Sequence, residues 1–296
     1  MPTVAIIGAG VMGSAMGARL CEVGVKVRVF DRNPPKVEAL ALKGATGCVS
    51  PAEAGKGADY AITSLNSAEA VRAVVLGENG LADTMAKGAM VIDLSSIDPF
   101  ATRAIAADAA ERGLRWVDSP LSGGAPKALT GQMTLMLGGS EADCEEARDN
   151  VLTHLAANIT RMGETGAGQT TKLVNQVLCG LGFLAVAEAT RLAEVGGVDA
   201  ARVPQALKGG RADSSILQEF MGKMAARDYT RTGRIDNMVK DLNGALDLAR
   251  RSDTSLPLTA LTAEVHRMLT AAGLGPEDQA ALMEYFEGVD RSRFGG

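Results

Sequence analysis

Near its start the chain reads Gly8-Ala9-Gly10-Val11-Met12-Gly13, a glycine spacing that suits a backbone approaching an anion at a helix start. Gly8 permits a tight turn, Gly10 lets backbone come close to a pyrophosphate, and Gly13 lets the helix pack on the preceding strand. The helix opens at Val11 and Met12, and its first N–H groups, which have no partner inside the helix, are offered to phosphates. Asp31 follows Gly13 by 18 residues, where a carboxylate can accept hydrogen bonds from ribose hydroxyls. The chemistry implied is dinucleotide binding. Asp31 favours NAD, whereas the adjacent Arg32 could pair with a 2′-phosphate and admit NADP.

Three later segments carry polar groups in unusual settings. In Asp118-Ser119-Pro120-Leu121-Ser122-Gly123-Gly124, the Ser122-Gly123-Gly124 turn can present backbone N–H groups and a hydroxyl to a carboxylate; alone, it would equally be a plain strand-to-helix turn. Lys172 and Asn175, in Thr171-Lys172-Leu173-Val174-Asn175-Gln176, stand at i and i+3 and share one face of a helix close to its N-terminus. Leu173, Val174, Val177 and Leu178 leave little polar surface around that lysine, which argues for a buried functional group over a solvated one. Met238-Val239-Lys240-Asp241-Leu242-Asn243 puts a Lys-Asp pair in an otherwise apolar helix, where a surface ion pair is the simpler reading.

The elements that must hold these groups are legible from periodicity. Residues 3–8, 25–30, 60–63, 90–93, 115–118 and 134–137 read as strands separated by helical or loop sequence, an alternation that implies a parallel sheet covered by helices on both faces. After residue 164 strand-like runs cease. Thr165-Gly166-Ala167-Gly168 opens an Ala-rich helical pattern to about Val195, stopped by Gly196-Gly197, and further breaks at 208–210, 228–230, 256–257 and 273–276 divide the rest into shorter helices. The expected fold is α/β: a Rossmann-type doubly wound parallel sheet over residues 1–164, then an all-α domain over residues 165–296 for substrate binding and oligomerisation.

Composition narrows the partners. A length of 296 residues favours two domains, and 46% hydrophobic with 22% charged residues is ordinary for a globular chain. A net charge of −5 speaks against a nucleic-acid partner. No stretch of about 18 apolar residues is seen, and the N-terminus lacks a signal-peptide pattern, so a cytoplasmic location without membrane contact is expected. Cys21, Cys48, Cys144 and Cys179 lack metal or disulfide spacing and read as small hydrophobes, while His154 and His266 have no second ligand at metal-binding spacing. No metal is called for.

Taken in order, the Gly8–Gly13 start, Asp118 to Gly131 with Gly138-Gly139, the Gly166-x-Gly168-x-x-x-Lys172-x-x-Asn175 helix and Lys240-Asp241-Leu242 resemble the β-hydroxyacid dehydrogenase family over nearly the whole chain. Asp31-Arg32-Asn33-Pro34, Leu76 to Gly80, Gly233-Arg234-Ile235-Asp236 and Leu256 to Thr259 bring it nearest to members that reduce small semialdehydes. The resemblance implies NAD(P)-dependent interconversion of a small β-hydroxy acid and its semialdehyde by a cytoplasmic homodimer or homotetramer. It implies Lys172 as the catalytic lysine, Ser122, Gly123 and Gly124 as the substrate-carboxylate loop, and Asn175 and Gln176 as substrate-binding amides. Ser95 and Lys240 would lie beside the cofactor. Lys172 is the convincing proton donor for the alkoxide that hydride addition creates. Two positions depart from the family pattern: Leu-Pro-Asn after the fourth strand reads Leu65-Asn66-Ser67, and Asp-x-Ser-Ala reads Asp278-Gln279-Ala280-Ala281. A non-catalytic dinucleotide-binding interaction module is the alternative of another class, and retention of Lys172 and Asn175 argues against it.

Overall fold

The computed structural model describes residues 1–288, and its contacts divide the chain into two compact units, Met1–Lys172 and the part from Leu173 onward. Among the described residues the first unit holds one nine-stranded sheet: β1 (Thr3–Ile7), β2 (Lys26–Phe30), β3 (Thr46–Gly47), β4 (Tyr60–Thr63), β5 (Met90–Asp93), β6 (Arg115–Asp118), β7 (Leu121–Ser122), β8 (Met133–Gly138) and β9 (Ala156–Gly163). Its strand order is β3-β2-β1-β4-β5-β6-β8-β7, with β9 on β8. The flanking helices are α1 (Val11–Glu22), α2 (Pro34–Ala41), α3 (Pro51–Gly55), α4 (Ala68–Leu76), α5 (Pro99–Glu111), α6 (Gly124–Leu129) and α7 (Glu141–Asn150).

Successive residues of β1 point to opposite faces, and both faces are covered. Val4 and Ile6 join Met16, Leu20, Val27 and Ile92 in one core, while Ala5 and Ile7 join Val71, Val75, Val91 and Trp116 in the other. The order turns at β1, with β2 on one side and β4 on the other, which is the switch point where ligands bind outside the carboxyl ends of such strands. The strands from β1 to β6 and the short β3 are parallel, as expected, but β8 runs antiparallel to β6 and β7. For the β7–β8 pair the reason is length: residues 123–132 between them are too few for a parallel crossover, which needs a dozen or more. The eight-residue β9 escapes the sequence reading because most of its side chains are exposed, leaving no apolar alternation to detect.

From residue 167 onward the described chain is helical, as expected: α8 (Ala167–Val195), α9 (Val203–Leu207), α10 (Ser215–Ala226), α11 (Ile235–Arg251), α12 (Pro257–Leu269) and α13 (Glu284–Glu287). Its core gathers Val186, Phe220, Met221, Met224, Val265 and Leu282, with Phe183 and Phe220 edge-to-face at 4.7 Å. The absence of a long apolar segment needs correction. α8 has 29 residues and, by length and composition only, is long and apolar enough to cross a membrane, its few polar side chains notwithstanding.

Candidate active site

The glycine turn is built by close packing. Gly8 has φ +97°, and a Cβ there would sit 2.5 Å from the Ser64 carbonyl oxygen. A Cβ on Gly13 would fall 1.8 Å from the Gly8 carbonyl oxygen, so only glycine lets α1 lie this near the turn. Gly10 behaves differently: nothing lies within 4 Å of where its Cβ would be, and the space is open for a ligand to meet backbone. Val11, the first residue of α1, is exposed and Met12 is half-buried. A cavity of about 330 Å³ at the carboxyl ends of β1, β2 and β4 is lined by Gly8, Gly10, Asp31, Arg32 and Leu65, and also by Lys36 of α2. These groups fit a dinucleotide: an open backbone turn for pyrophosphate, and a carboxylate with two cations beside it for the adenosine ribose.

Asp31 has a second duty that spacing did not reveal. Its carboxylate accepts from the Ala9 N–H at 2.8 Å and from the Asn33 N–H at 2.8 Å, tying the glycine turn to the end of β2. A carboxylate has further lone pairs, so holding the turn and accepting from a ribose are compatible. Lys36 was missed; its signal was a basic residue four positions beyond Arg32.

Ser95 is buried, and its hydroxyl accepts from the Leu65 N–H at 3.0 Å, so it supports the cavity wall from behind. The Ser95 N–H donates to Asp93 Oδ1 at 3.0 Å, to which the Thr63 hydroxyl also donates at 2.7 Å. Ser122 is half-buried at the end of β7, and Gly123 and Gly124 follow with φ of +117° and +68°, a left-handed pair that few other residues adopt.

Lys172 is positioned by its helix start. Asp118, fully buried at the end of β6, accepts from the Gly166 N–H at 2.6 Å and the Gln169 N–H at 2.9 Å, capping orphan donors of α8. Burial pushes Asp118 and Asp93 up to about 6 against these favourable hydrogen bonds, and their mutual repulsion adds to the rise for Asp93. Lys172 itself is half-buried, not deeply buried, because Val174 and Leu178 are 54% and 68% exposed and leave its flanks more open than expected.

In the second unit the Asn175 amide donates to Gln176 Oε1 at 2.8 Å, and the Gln176 amide donates to Asp241 Oδ2. Asp241 also pairs with Lys240 at 3.6 Å, so the Lys-Asp pair of α11 orients Gln176 and is more than a surface ion pair. Lys240 is exposed. The departing segment at 278–281 is structural: Asp278 accepts from the Thr232 N–H and hydroxyl and the Gly233 N–H and pairs with Lys223 at 3.1 Å, while Gln279 bridges His266 and the Arg234 carbonyl.

Comparison with known proteins identifies the family. Residues 3–163 match the family model described as the NAD binding domain of 6-phosphogluconate dehydrogenase, and residues 166–286 match the one described as NAD-binding of NADP-dependent 3-hydroxyisobutyrate dehydrogenase. The chain is 34% identical over 288 residues to L-threonate dehydrogenase of Cupriavidus necator, covering 97% of each. It is 35% identical over 281 residues to 2-hydroxy-3-oxopropionate reductase of Escherichia coli, covering 95% of this chain and 96% of the relative. Its fold superposes on Mycobacterium tuberculosis 3-hydroxyisobutyrate dehydrogenase, in a structure with L-serine, with a TM-score of 0.89 at 29% identity, over 97% of this chain and 100% of that one. The chain belongs to the 3-hydroxyisobutyrate dehydrogenase-like family of NAD(P)-dependent oxidoreductases.

Proposed function

We propose that this protein reduces 2-hydroxy-3-oxopropionate (tartronate semialdehyde) to glycerate with NAD(P)H, NADH being favoured by Asp31, with L-threonate and 3-hydroxyisobutyrate as the competing substrates. The observation that carries the reading is convergence within the first unit: the glycine turn, the Asp31 pocket, the Ser95 loop and the Asp118-capped start of the Lys172 helix all lie at the carboxyl ends of the parallel strands. The cofactor, when bound, supplies the hydride. Gly8, Gly10, Val11, Met12 and Gly13 hold its pyrophosphate, Asp31 and Arg32 its adenosine end, and Ser95 and Lys240 support its nicotinamide side. Ser122, Gly123 and Gly124 take the substrate carboxylate, Asn175 and Gln176 orient its hydroxyl, and the Lys172 ammonium gives a proton to the carbonyl oxygen as negative charge develops there.

The similarity to 2-hydroxy-3-oxopropionate reductase supports the substrate, and the Asn175-Gln176 amide pair suits a polyol acid. Steady-state turnover of purified protein on the three hydroxy acids with NAD+ or NADP+, and on their oxo-acid or semialdehyde forms with NADH or NADPH, tests the choice. A higher kcat/KM for L-threonate oxidation than for semialdehyde reduction would replace the substrate named here. Residues 165–296 form the substrate and oligomerisation domain in this reading. The exposed apolar side chains of α8, Val174, Leu178, Leu192 and Val195 among them, pack against a second copy in a dimer or tetramer, and the enzyme works in the cytoplasm.

A further inference from the structure

Gln169 is almost fully buried, at 1% exposure, yet it is wholly polar. Its amide nitrogen donates to the Ser95 carbonyl at 2.8 Å, its amide oxygen accepts from the Ile97 N–H at 3.2 Å, and its own N–H donates to Asp118. One residue of α8 is thereby bonded to the loop after β5 and to the end of β6. The Ser95 hydroxyl in turn holds the Leu65 N–H, and Leu65 lines the 330 Å³ cavity beside Gly8. Lys172 lies three residues further along the same helix.

We propose that Gln169 is a positioning residue that sets the Lys172 end of α8 against the loops walling the nucleotide pocket. The inference rests on the functional reading above. A helix is stiff over one turn, so fixing Gln169 to Ser95 and Ile97 fixes where the α8 backbone presents Lys172 relative to that loop. The site demands a donor toward Ser95 and an acceptor toward Ile97 at once, which a neutral amide supplies and an apolar or ionised side chain does not. Leaving that buried carbonyl and N–H without partners would let the loop and the helix relax apart.

Gln169→Met keeps the length and removes both side-chain bonds. The expected result is a kcat lower by ~10- to ~100-fold, as for a displacement of about 1 Å, with NAD(P)H affinity within about threefold of the parent protein. In the ligand-free protein, hydrogen exchange at the Ile97 amide should accelerate by at least about tenfold, on the scale of a lost hydrogen bond. Gln169→Glu provides the rescue: a protonated carboxyl again offers one donor and one acceptor, so kcat relative to the parent should climb as pH falls from 8 to 5.5, while that of Gln169→Met stays flat. The Asp93 and Asp118 carboxyls that share this region titrate in the parent too and cancel in the ratio. Unchanged exchange at Ile97, or released exchange with kcat within twofold of the parent, would overturn the inference; so would a loss of cofactor affinity as large as the loss of kcat. If Gln169→Met fails to fold, the pH ratio of Gln169→Glu decides alone, a flat ratio counting against it. A parent protein that turned over no hydroxy acid or semialdehyde would sink the functional reading instead, with the Ile97 amide still reporting on the clamp.

Discussion

Asp31 and its neighbours show how single residues divide cofactor binding. Because the Asp31 carboxylate holds the Ala9 and Asn33 N–H groups, Asp31→Ala should weaken binding of both dinucleotides, NADH more than NADPH, since the ribose hydroxyls lose their acceptor as well. Arg32→Ala and Lys36→Ala should do the opposite, lowering NADPH affinity by ~3- to ~30-fold and sparing NADH; fluorescence titrations with both cofactors check both directions. An Asp31→Ala variant with unchanged preference would remove the ribose role and leave only the structural one. The glycines were legible in the sequence because their demands are local, met within Gly8 to Gly13. Gln169 was not, because nothing in its spacing reveals partners more than 70 residues away, and Lys36, though only four positions beyond Arg32, shows its place only once the cavity is folded against β1 and β4.

At the scale of elements, the ends of β5 and β6 hold two buried carboxyls side by side in register, Asp93 and Asp118. Folding raises Asp93 from an ordinary 3.8 to about 6, so the fold favours its protonated form: the contribution to stability is full below 3.8 and is lost as pH rises through about 6. Asp93→Asn keeps an acceptor for the Thr63 hydroxyl and the Ser95 N–H and never ionises. Its Tm should therefore gain on the parent between pH 4 and pH 7, by an amount that corresponds to up to about 3 kcal/mol, and calorimetry at both pH values reads the difference. A Tm difference independent of pH would mean that Asp93 is charged throughout. Asp118→Asn differs in that an amide can turn only one acceptor toward the N–H groups of Gly166 and Gln169, so it should lower Tm at pH 4, where most of the parent's folded Asp118 is protonated, through a weakened α8 cap. Of the strands that were predicted, β4 and β5 are buried along their whole length and β2 alternates; β9 was missed for its exposed side chains, and the reversal of β8 against β7 follows from a loop length that periodicity does not weigh.

For the whole molecule, the helical second half was legible from its breaks at glycine and proline, whereas its apolar surface only shows as uncovered once the single chain is folded. Val174, Leu178, Leu192 and Val195 are each more than half exposed on α8. Light scattering at micromolar concentration should accordingly give the mass of two or four chains, and a monomer would contradict that packing. The central claim, that this fold carries out hydride chemistry with Lys172 as proton donor, is tested most directly by comparing the parent with Lys172→Ala and Lys172→Arg on 2-hydroxy-3-oxopropionate with saturating NADH. The account predicts a kcat lower by at least ~10² in the alanine variant, a severe loss also in the arginine variant, whose guanidinium keeps the charge but does not release its proton, and cofactor affinity close to that of the parent in both. A near-normal kcat in Lys172→Arg, with NADH bound as before, would contradict it.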